Sequence, residues 1–432
     1  MEAYTPEEAV YASKDYRRTR IAYTAQCATE YLIMLMVADD FLAKLLNEVG
    51  MSDAAVGLLS SLVSFTLLFQ LLSIPLAARI RTVKKPVILL QNLSMLLMAS
   101  VYMVPFLPLS VRGKTVAAAV LLLAAYISLY LCTSVCYLWG NSFVSPYRRG
   151  RFGARKEIIS LLSGVAFVFL MSQISDHWEN RGHIQTAFII IGISMVCICA
   201  VNFTLMTLFK DMPMEGGSRF SARELLRHVL ARKEFRNIMV LTATFDAAKF
   251  LTIGFMGTYK VVDLGYSLGT AQLINIAACL LRAALSQPLG RYSDRKGRDK
   301  GYFIGCLILL AAFVCGSFAT PSARWLMVPY VLFYHANYAG TSANTNNLVY
   351  SAVEKEYILP AMLINNSVRG VTGFASAFVG SRILSAVQAH GNTVWGISLH
   401  GQQLLCILSA LLMLVVLTFL RRVVGHQKLQ LN

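Results

Sequence analysis

Residues 186–209 read TAFIIIGISMVCICAVNFTLMTLF, twenty-four positions without one charged side chain. At about 1.5 Å of rise per residue a helix of this length covers ~36 Å, more than the ~30 Å hydrocarbon core of a bilayer. Lipid offers no hydrogen bonds to the backbone, so such a stretch must satisfy its own amides, and only a helix or a closed barrel does that. Barrel strands are roughly ten residues of alternating polarity. This run is longer and does not alternate, so it reads as a transmembrane helix.

The same reading repeats along the chain, with spans at 21–46, 55–78, 86–105, 115–143, 157–174, 186–209, 237–259, 269–289, 301–319, 325–349, 358–386 and 401–420, hereafter spans 1 to 12. The predicted fold class is therefore all-α, a polytopic membrane protein of twelve transmembrane helices. Composition agrees: 56% of the 432 residues are hydrophobic and only 14% charged, against roughly 25% charged in soluble chains. The net charge of +17 would suit a nucleic-acid binder if it clustered on one soluble face. It falls instead in short breaks between apolar runs, so no nucleic-acid partner is expected.

With the N-terminus inside, the inner segments carry 29 Lys and Arg and the outer segments 5. That bias predicts cytoplasmic termini and supports an even number of spans. All nine cysteines lie in apolar runs and read as small buried side chains, without a disulfide framework or a metal site. The start, MEAYTPEEAVYASKDYRRTR, is polar, so no cleavable leader is expected. N-x-S/T sequons begin only at Asn92, Asn202 and Asn365, inside spans, which is compatible with a bacterial inner membrane.

The longest inner loop, 210–236, separates six spans from six. The expected domains are a six-helix bundle 1–209, the central loop 210–236 and a second bundle 237–432. Within the loop, Ser221 to Glu224 forms a capping-box pattern before Leu225, Leu226, Val229 and Leu230 at helical spacing. A short basic amphipathic helix on the inner leaflet is predicted there. The halves also match each other at several places. Glu48-Val-Gly50-Met-Ser52 aligns with Asp263-Leu-Gly265-Tyr-Ser267, Pro75-Leu76 with Pro288-Leu289, Ser163-Gly164-Val165 with Arg369-Gly370-Val371, and Asn141 with Asn347. Their common order implies duplication of a six-helix unit and two pseudo-symmetric bundles.

After span 8 stands Gly290-Arg-Tyr-Ser-Asp294-Arg295-Lys-Gly297-Arg298. It resembles the G-x-x-x-D-R-x-G-R loop of the major facilitator superfamily, and Pro146-Tyr-Arg148-Arg149-Gly150-Arg151 is similar to that family's basic loop after helix 4. The resemblance implies a secondary transporter in which Gly290, Asp294, Arg295, Gly297 and Arg298 form a gating motif, with a tight glycine turn and Asp294 as a latch. The equivalent first-half segment, residues 77–85, lacks both glycines and the aspartate. No drug-exchanger arginine stands in span 4, and neither a glycine–proline run in span 5 nor a sugar-porter signature after span 6 is present. The subfamily is therefore unassigned.

An ionisable side chain within a span costs roughly 2.5–3.5 kcal/mol on insertion scales and usually faces a cavity or a partner. Glu30 and Asp246 each lie nine residues into their spans, ~13–14 Å deep. The family resemblance places helices 1, 4, 7 and 10 around a central cavity, which makes either acid a candidate for proton coupling. Asp246 could instead pair with Lys249, on the same helix face. Arg369, near the middle of span 11 with Asn365 and Asn366 beside it, could clamp an anionic group or pair with either acid. Arg282 suits packing or gating, and Asp39, Asp40 and Lys44 an outer gate. Tyr126, Tyr130, Thr133, Tyr137 and Asn141 share one face of span 4, an aromatic-hydroxyl wall fit for a polar organic solute or for interhelix packing. Span 10 repeats the pattern with Tyr334, Asn337, Thr341 and Asn344, with His335 alongside.

These residues predict an alternating-access carrier of a small polar organic solute, proton-coupled, monomeric and needing no cofactor. The rival is a transporter-like sensor or assembly partner, kept open by the degraded first-half loop. No nucleophile–base set, H-E-x-x-H pattern or phosphate-binding loop marks an enzyme or a nucleotide-driven pump.

Overall fold

The computed structural model describes residues 13–72, 82, 84–144, 149–211, 222–354, 357–394 and 397–426. Helix dominates. Ten helices among these residues are long and apolar enough to cross a membrane, and the bent pair Lys14–Met36 with Asp39–Glu48 makes an eleventh. The twelfth is span 10, helix Met327–Ala352. Its 26 residues reach ~39 Å, and its row of Tyr, Asn and Thr lowers its apolarity without shortening it. A two-residue antiparallel pair, Thr393–Val394 with Ile397–Ser398, bridges spans 11 and 12.

Contacts divide the chain into two compact units, residues 1–49 with 69–218 and residues 50–68 with 219–432. In the first, spans 3 to 6 are the helices Lys84–Ser100, Val111–Ser142, Arg149–Glu179 and Ile184–Thr207. Trp139, Tyr23, Phe143, Met206 and Phe209 form its apolar core at one end. Span 1 is not continuous. It breaks at Val37–Ala38 with a 42° bend, and Asp39 takes φ 44°. A break inside a membrane frees carbonyls that must find donors. The Tyr102 hydroxyl donates to Met36 O at 2.7 Å and the Tyr126 hydroxyl to Val37 O at 3.4 Å. Beyond the break Lys44 pairs with Glu48 at 3.3 Å and with Glu179 at the end of span 5, while Asp40 is fully buried.

The second unit holds span 2 together with spans 7 to 12. Span 7 runs Lys233–Phe250 and Ile253–Thr258 and ends in a wide turn, Tyr259–Asp263. Span 2 packs on spans 7 and 11 through backbone-level contacts. A Cβ on Gly254 would stand 2.5 Å from the Gly57 carbonyl, and one on Gly370 2.4 Å from the Ser64 carbonyl. Ser64 and Ser381 hydroxyls donate across this seam to Gly370 O and Ala54 O, both at 3.0 Å. Spans 9 and 10 approach as closely: Gly301 and Gly305, one turn apart on Arg298–Phe318, face Gly340. Small residues at this spacing allow backbones to meet where lipid gives helices no hydrophobic drive to associate.

The internal repeat is visible in matching turns. Gly50 and Gly265 both take positive φ, 86° and 67°. Two residues on, Ser52 and Ser267 cap their helices by accepting from the amides of Ala55 and Thr270. In the central loop Ala222–Ala231 is a helix. Val229 is buried, His228 stacks on Tyr357 at 4.2 Å, and Arg232 pairs with Glu354. The helix therefore docks on its own unit along this side instead of lying only on lipid. Ser221, the proposed cap, lies outside the described residues.

Candidate functional site

Each unit carries its own cluster of polar groups at mid-helix depth. In the first, the Glu30 carboxylate accepts from the Gln26 amide at 2.9 Å, one turn earlier, and from the Gln91 amide of span 3 at 2.6 Å. Asn92, next to Gln91, accepts from Asn202 of span 6 at 3.1 Å, and Asn202 accepts from Thr29 at 2.9 Å. A ladder of amides thus ties spans 1, 3 and 6 around the acid. Tyr130 lies within electrostatic reach of Glu30, and so does Lys156. Lys156 sits 4.7 Å over the Tyr23 ring and 5.6 Å from that of Tyr137, and donates to the Tyr23 hydroxyl at 3.3 Å. By sequence Lys156 counts as one more inner-loop cation; on helix Arg149–Glu179 it is turned into the unit.

Of the span 4 tyrosines, Tyr126 has its hydroxyl committed to the span 1 break, Tyr130 borders Glu30, and Tyr137 is 59% exposed.

In the second unit the partner of Asp246 is Arg369, not Lys249. The guanidinium grips the carboxylate with two bonds, Nε to Oδ2 at 2.8 Å and Nη2 to Oδ1 at 3.3 Å. Asn365, one turn before, accepts from Thr242 at 2.8 Å; Asn366 is half-buried on the same helix. Lys249 lies 4.9 Å from the centre of the Tyr338 ring, and the Arg282 guanidinium lies 5.0 Å from it. His335, one turn earlier on span 10, feels Lys249, Arg282 and Lys260 together.

Span 10 therefore has two polar faces with different duties. Asn337 donates to Tyr334 O and accepts from Thr341 at 3.1 Å, while Asn344 donates to Ser293 of span 8 at 2.9 Å. Asn337, Thr341 and Asn344 are buried, and Thr341 and Asn344 press on the glycines of span 9. That stripe joins helices. The charged cluster gathers on the other face, at His335 and Tyr338, and Tyr338 is a residue that no pattern in the sequence singles out.

At the loop after span 8, Gly290 is inside helix Leu268–Lys296, so it forms no turn. The turn is made by Gly297 alone, at φ 118°. Arg298 then donates to Asn347 O at 3.2 Å, in the last turns of span 10. Arg295 is exposed. The side chain of Asp294 lies outside the described residues.

Residues 21–377 match the family described as Major Facilitator Superfamily. The chain belongs to that superfamily. Solved structures agree in fold. A point mutant of the nucleoside transporter NupG superposes with TM-score 0.73 at 10% identity, covering 93% of this chain and 99% of that one. A D-xylose-proton symporter gives 0.65 at 14%, covering 92% and 96%. The POT family transporter PepTSo gives 0.65 at 12%, covering 94% and 98%. No curated protein matches the chain by sequence. The fold is thus that of a polytopic membrane protein with twelve helices in two pseudo-symmetric bundles, within a superfamily of transporters.

Proposed function

We propose that this superfamily member is an alternating-access secondary carrier that moves a small polar organic solute together with protons. The halves 1–209 and 237–432 would be its moving parts and 210–236 their tether. It would act as a monomer in the plasma membrane of a bacterium, with both termini cytoplasmic, as the 29 to 5 bias of basic residues supports. The observation that carries the coupling is the setting of Glu30. Its hydrogen-bond partners among the described residues are two neutral amides, Gln26 and Gln91. A carboxylate so held can take up and release a proton without stranding a paired cation. Asp246, bound to Arg369, cannot. The solute transported by NupG or by the xylose-proton symporter is a property of those proteins; the polar side chains of this chain support only the broader class.

The test is reconstitution into liposomes loaded with a pH-sensitive dye. Nucleosides, pentoses, short peptides and small organic acids are added outside in turn. At least one should acidify the lumen as it enters, and Glu30→Gln should abolish the acidification while retaining solute binding. Entry of a solute with no proton movement in the native protein would reject the coupling. Thiol labelling that put residues 290–300 on the extracellular surface would reject the orientation.

A further inference from the structure

We infer that Lys249 and Arg282 anchor a negatively charged group of the solute, so that the cargo is a small organic anion bearing a carboxylate or a phosphate ester. This rests on the carrier function proposed for the chain and narrows its substrate class. Both charges lie against one aromatic ring, at 4.9 and 5.0 Å from the Tyr338 centre, so at most 9.9 Å separates them. Lys249 stands sixteen residues from the start of helix Lys233–Phe250 and Arg282 fourteen from the start of Leu268–Lys296. Those offsets are ~24 and ~21 Å from the helix starts. Toward the other end Lys249 stands fourteen residues from Asp263 and Arg282 eleven from Ser293, ~21 and ~16 Å along the helices, more than a side-chain length in either direction.

Charged groups at such depth are balanced by a counter-charge or serve a function. Among the described residues no acid comes within ion-pair distance of Lys249 or Arg282. The acid of the cluster is Asp246, and both of its oxygens are taken by Arg369. Lys260 adds a further positive field at His335. With Asp246 and Arg369 cancelling each other, an excess of cation faces the Tyr338 side of span 10. The Tyr338 ring offers its π face to Lys249 and Arg282 and holds them in place, but it supplies no full negative charge. A carboxylate or phosphate between the two cations would supply it, with Arg282 giving planar, two-pronged donation and Lys249 a point charge. Tyr338, against which both cations lie, would orient them.

The experiment uses the purified full-length protein and matched pairs of probes: glycerol against glycerol 3-phosphate, uridine against uridine monophosphate, and propanol against propionate, with succinate, inorganic phosphate and sulfate as further anions. Binding is read by ligand-dependent thermal shift and by titration calorimetry. At least one organic anion should raise the melting temperature while its neutral partner does not. Sulfate should compete with that anion on the native protein, a readout that needs no variant. Lys249→Gln and Arg282→Gln should each weaken the bound anion about 10–100-fold, and Arg282→Lys should recover part of the loss. A neutral partner binding as well as its anion overturns the inference, as does a change below about twofold in both variants. So does a flat response to every anion, even if a neutral solute is carried. Anion binding without any transport would overturn the carrier function, and with it the anion's standing as cargo, while leaving Lys249 and Arg282 as the residues that hold it.

Discussion

Consider the removal of Arg369. Its partner Asp246 is 4% exposed at the side chain while Arg369 itself is 22% exposed, so the two single variants leave behind unequal problems. Arg369→Gln leaves a carboxylate almost wholly out of water without the two bonds that Arg369 gave it, and breaking a buried pair in this way costs about 3–5 kcal/mol. Asp246→Asn leaves a guanidinium with some access to solvent, which puts its cost at the lower end, roughly 2–3 kcal/mol. The double variant Asp246→Asn/Arg369→Gln buries no charge at all, and its two amides can bond each other, so it should sit within about 1–2 kcal/mol of the native protein. The expected interaction energy is therefore about 5 kcal/mol, between roughly 3 and 7, and of restoring sign. Membrane proteins commonly unfold irreversibly, so the assay is the half-life of the monodisperse peak in detergent at one fixed temperature. The half-lives should fall in the order native, double variant, Asp246→Asn, Arg369→Gln, with roughly 150- to 5,000-fold between the extremes if the pair is fully lost on the way to unfolding. A double variant no longer-lived than the worse single one would show that Asp246 and Arg369 are not a closed electrostatic unit, and a purely structural role for Asp246 would fail with it.

Further outcomes follow from other contacts. Tyr102→Phe should destabilise by about 1 kcal/mol and Tyr126→Phe by less, because the bond to Met36 O is 2.7 Å and that to Val37 O 3.4 Å; equal half-lives for both variants and the native protein would contradict this. Gly254→Val places its Cβ 2.5 Å from a backbone carbonyl that cannot turn aside and should cost ~1–3 kcal/mol, whereas Gly153→Ala, with open space around it, should be neutral in the same assay. His400, the N-cap of span 12, has its pKa pushed down by burial. The unfolded chain then binds the proton more readily, so this residue's stabilisation is complete above its ordinary value near 6.5 and declines as pH falls below it. His400→Gln should flatten the acid side of the stability profile, and an unchanged profile would show that His400 does not link folding to pH.

What could be read from the sequence is what depends on composition and short-range order. Apolar runs set the helices, and glycine followed by serine set the matching turns at Gly50 and Gly265. Features built by partners distant in the chain were not legible. Nothing between Met36 and Asp39 announces a helix break, since no proline or glycine stands there; the break is tolerated because Tyr102 and Tyr126 arrive from spans 3 and 4. Span 4's tyrosine face was a single pattern in the sequence, yet its members answer to different neighbours. Likewise the regular stripe of span 10 is the packing face, while the ring that matters for charge, Tyr338, stands outside it. Lys156 was hidden among loop cations, and only the length of the span 5 helix turns it inward. Gly301 and Gly305 drew no reading from the sequence, and their use shows only with Gly340 opposite.

The repeat makes the two membrane acids comparable, and their difference argues for a division of labour. Glu30 and Asp246 stand in corresponding helices of the two halves. One is held by amides, the other by a guanidinium. Protonating the first weakens charge-assisted bonds to neutral donors and removes only the longer-range field felt by Lys156, which is not hydrogen-bonded to Glu30; protonating the second would leave Arg369 charged and unpaired in a medium where that is expensive. If the carrier is proton-coupled as proposed, the proton that cycles with each turnover would be accommodated at Glu30, while Asp246 holds spans 7 and 11 together. The two neutralising variants should separate these roles. Glu30→Gln should remove proton movement from uptake with little loss of half-life in detergent. Asp246→Asn should shorten the half-life yet leave the protons moved per solute unchanged in the fraction that stays folded. If Asp246→Asn altered that ratio and Glu30→Gln did not, the assignment would have to be reversed, and the amide cage around Glu30 would be packing alone.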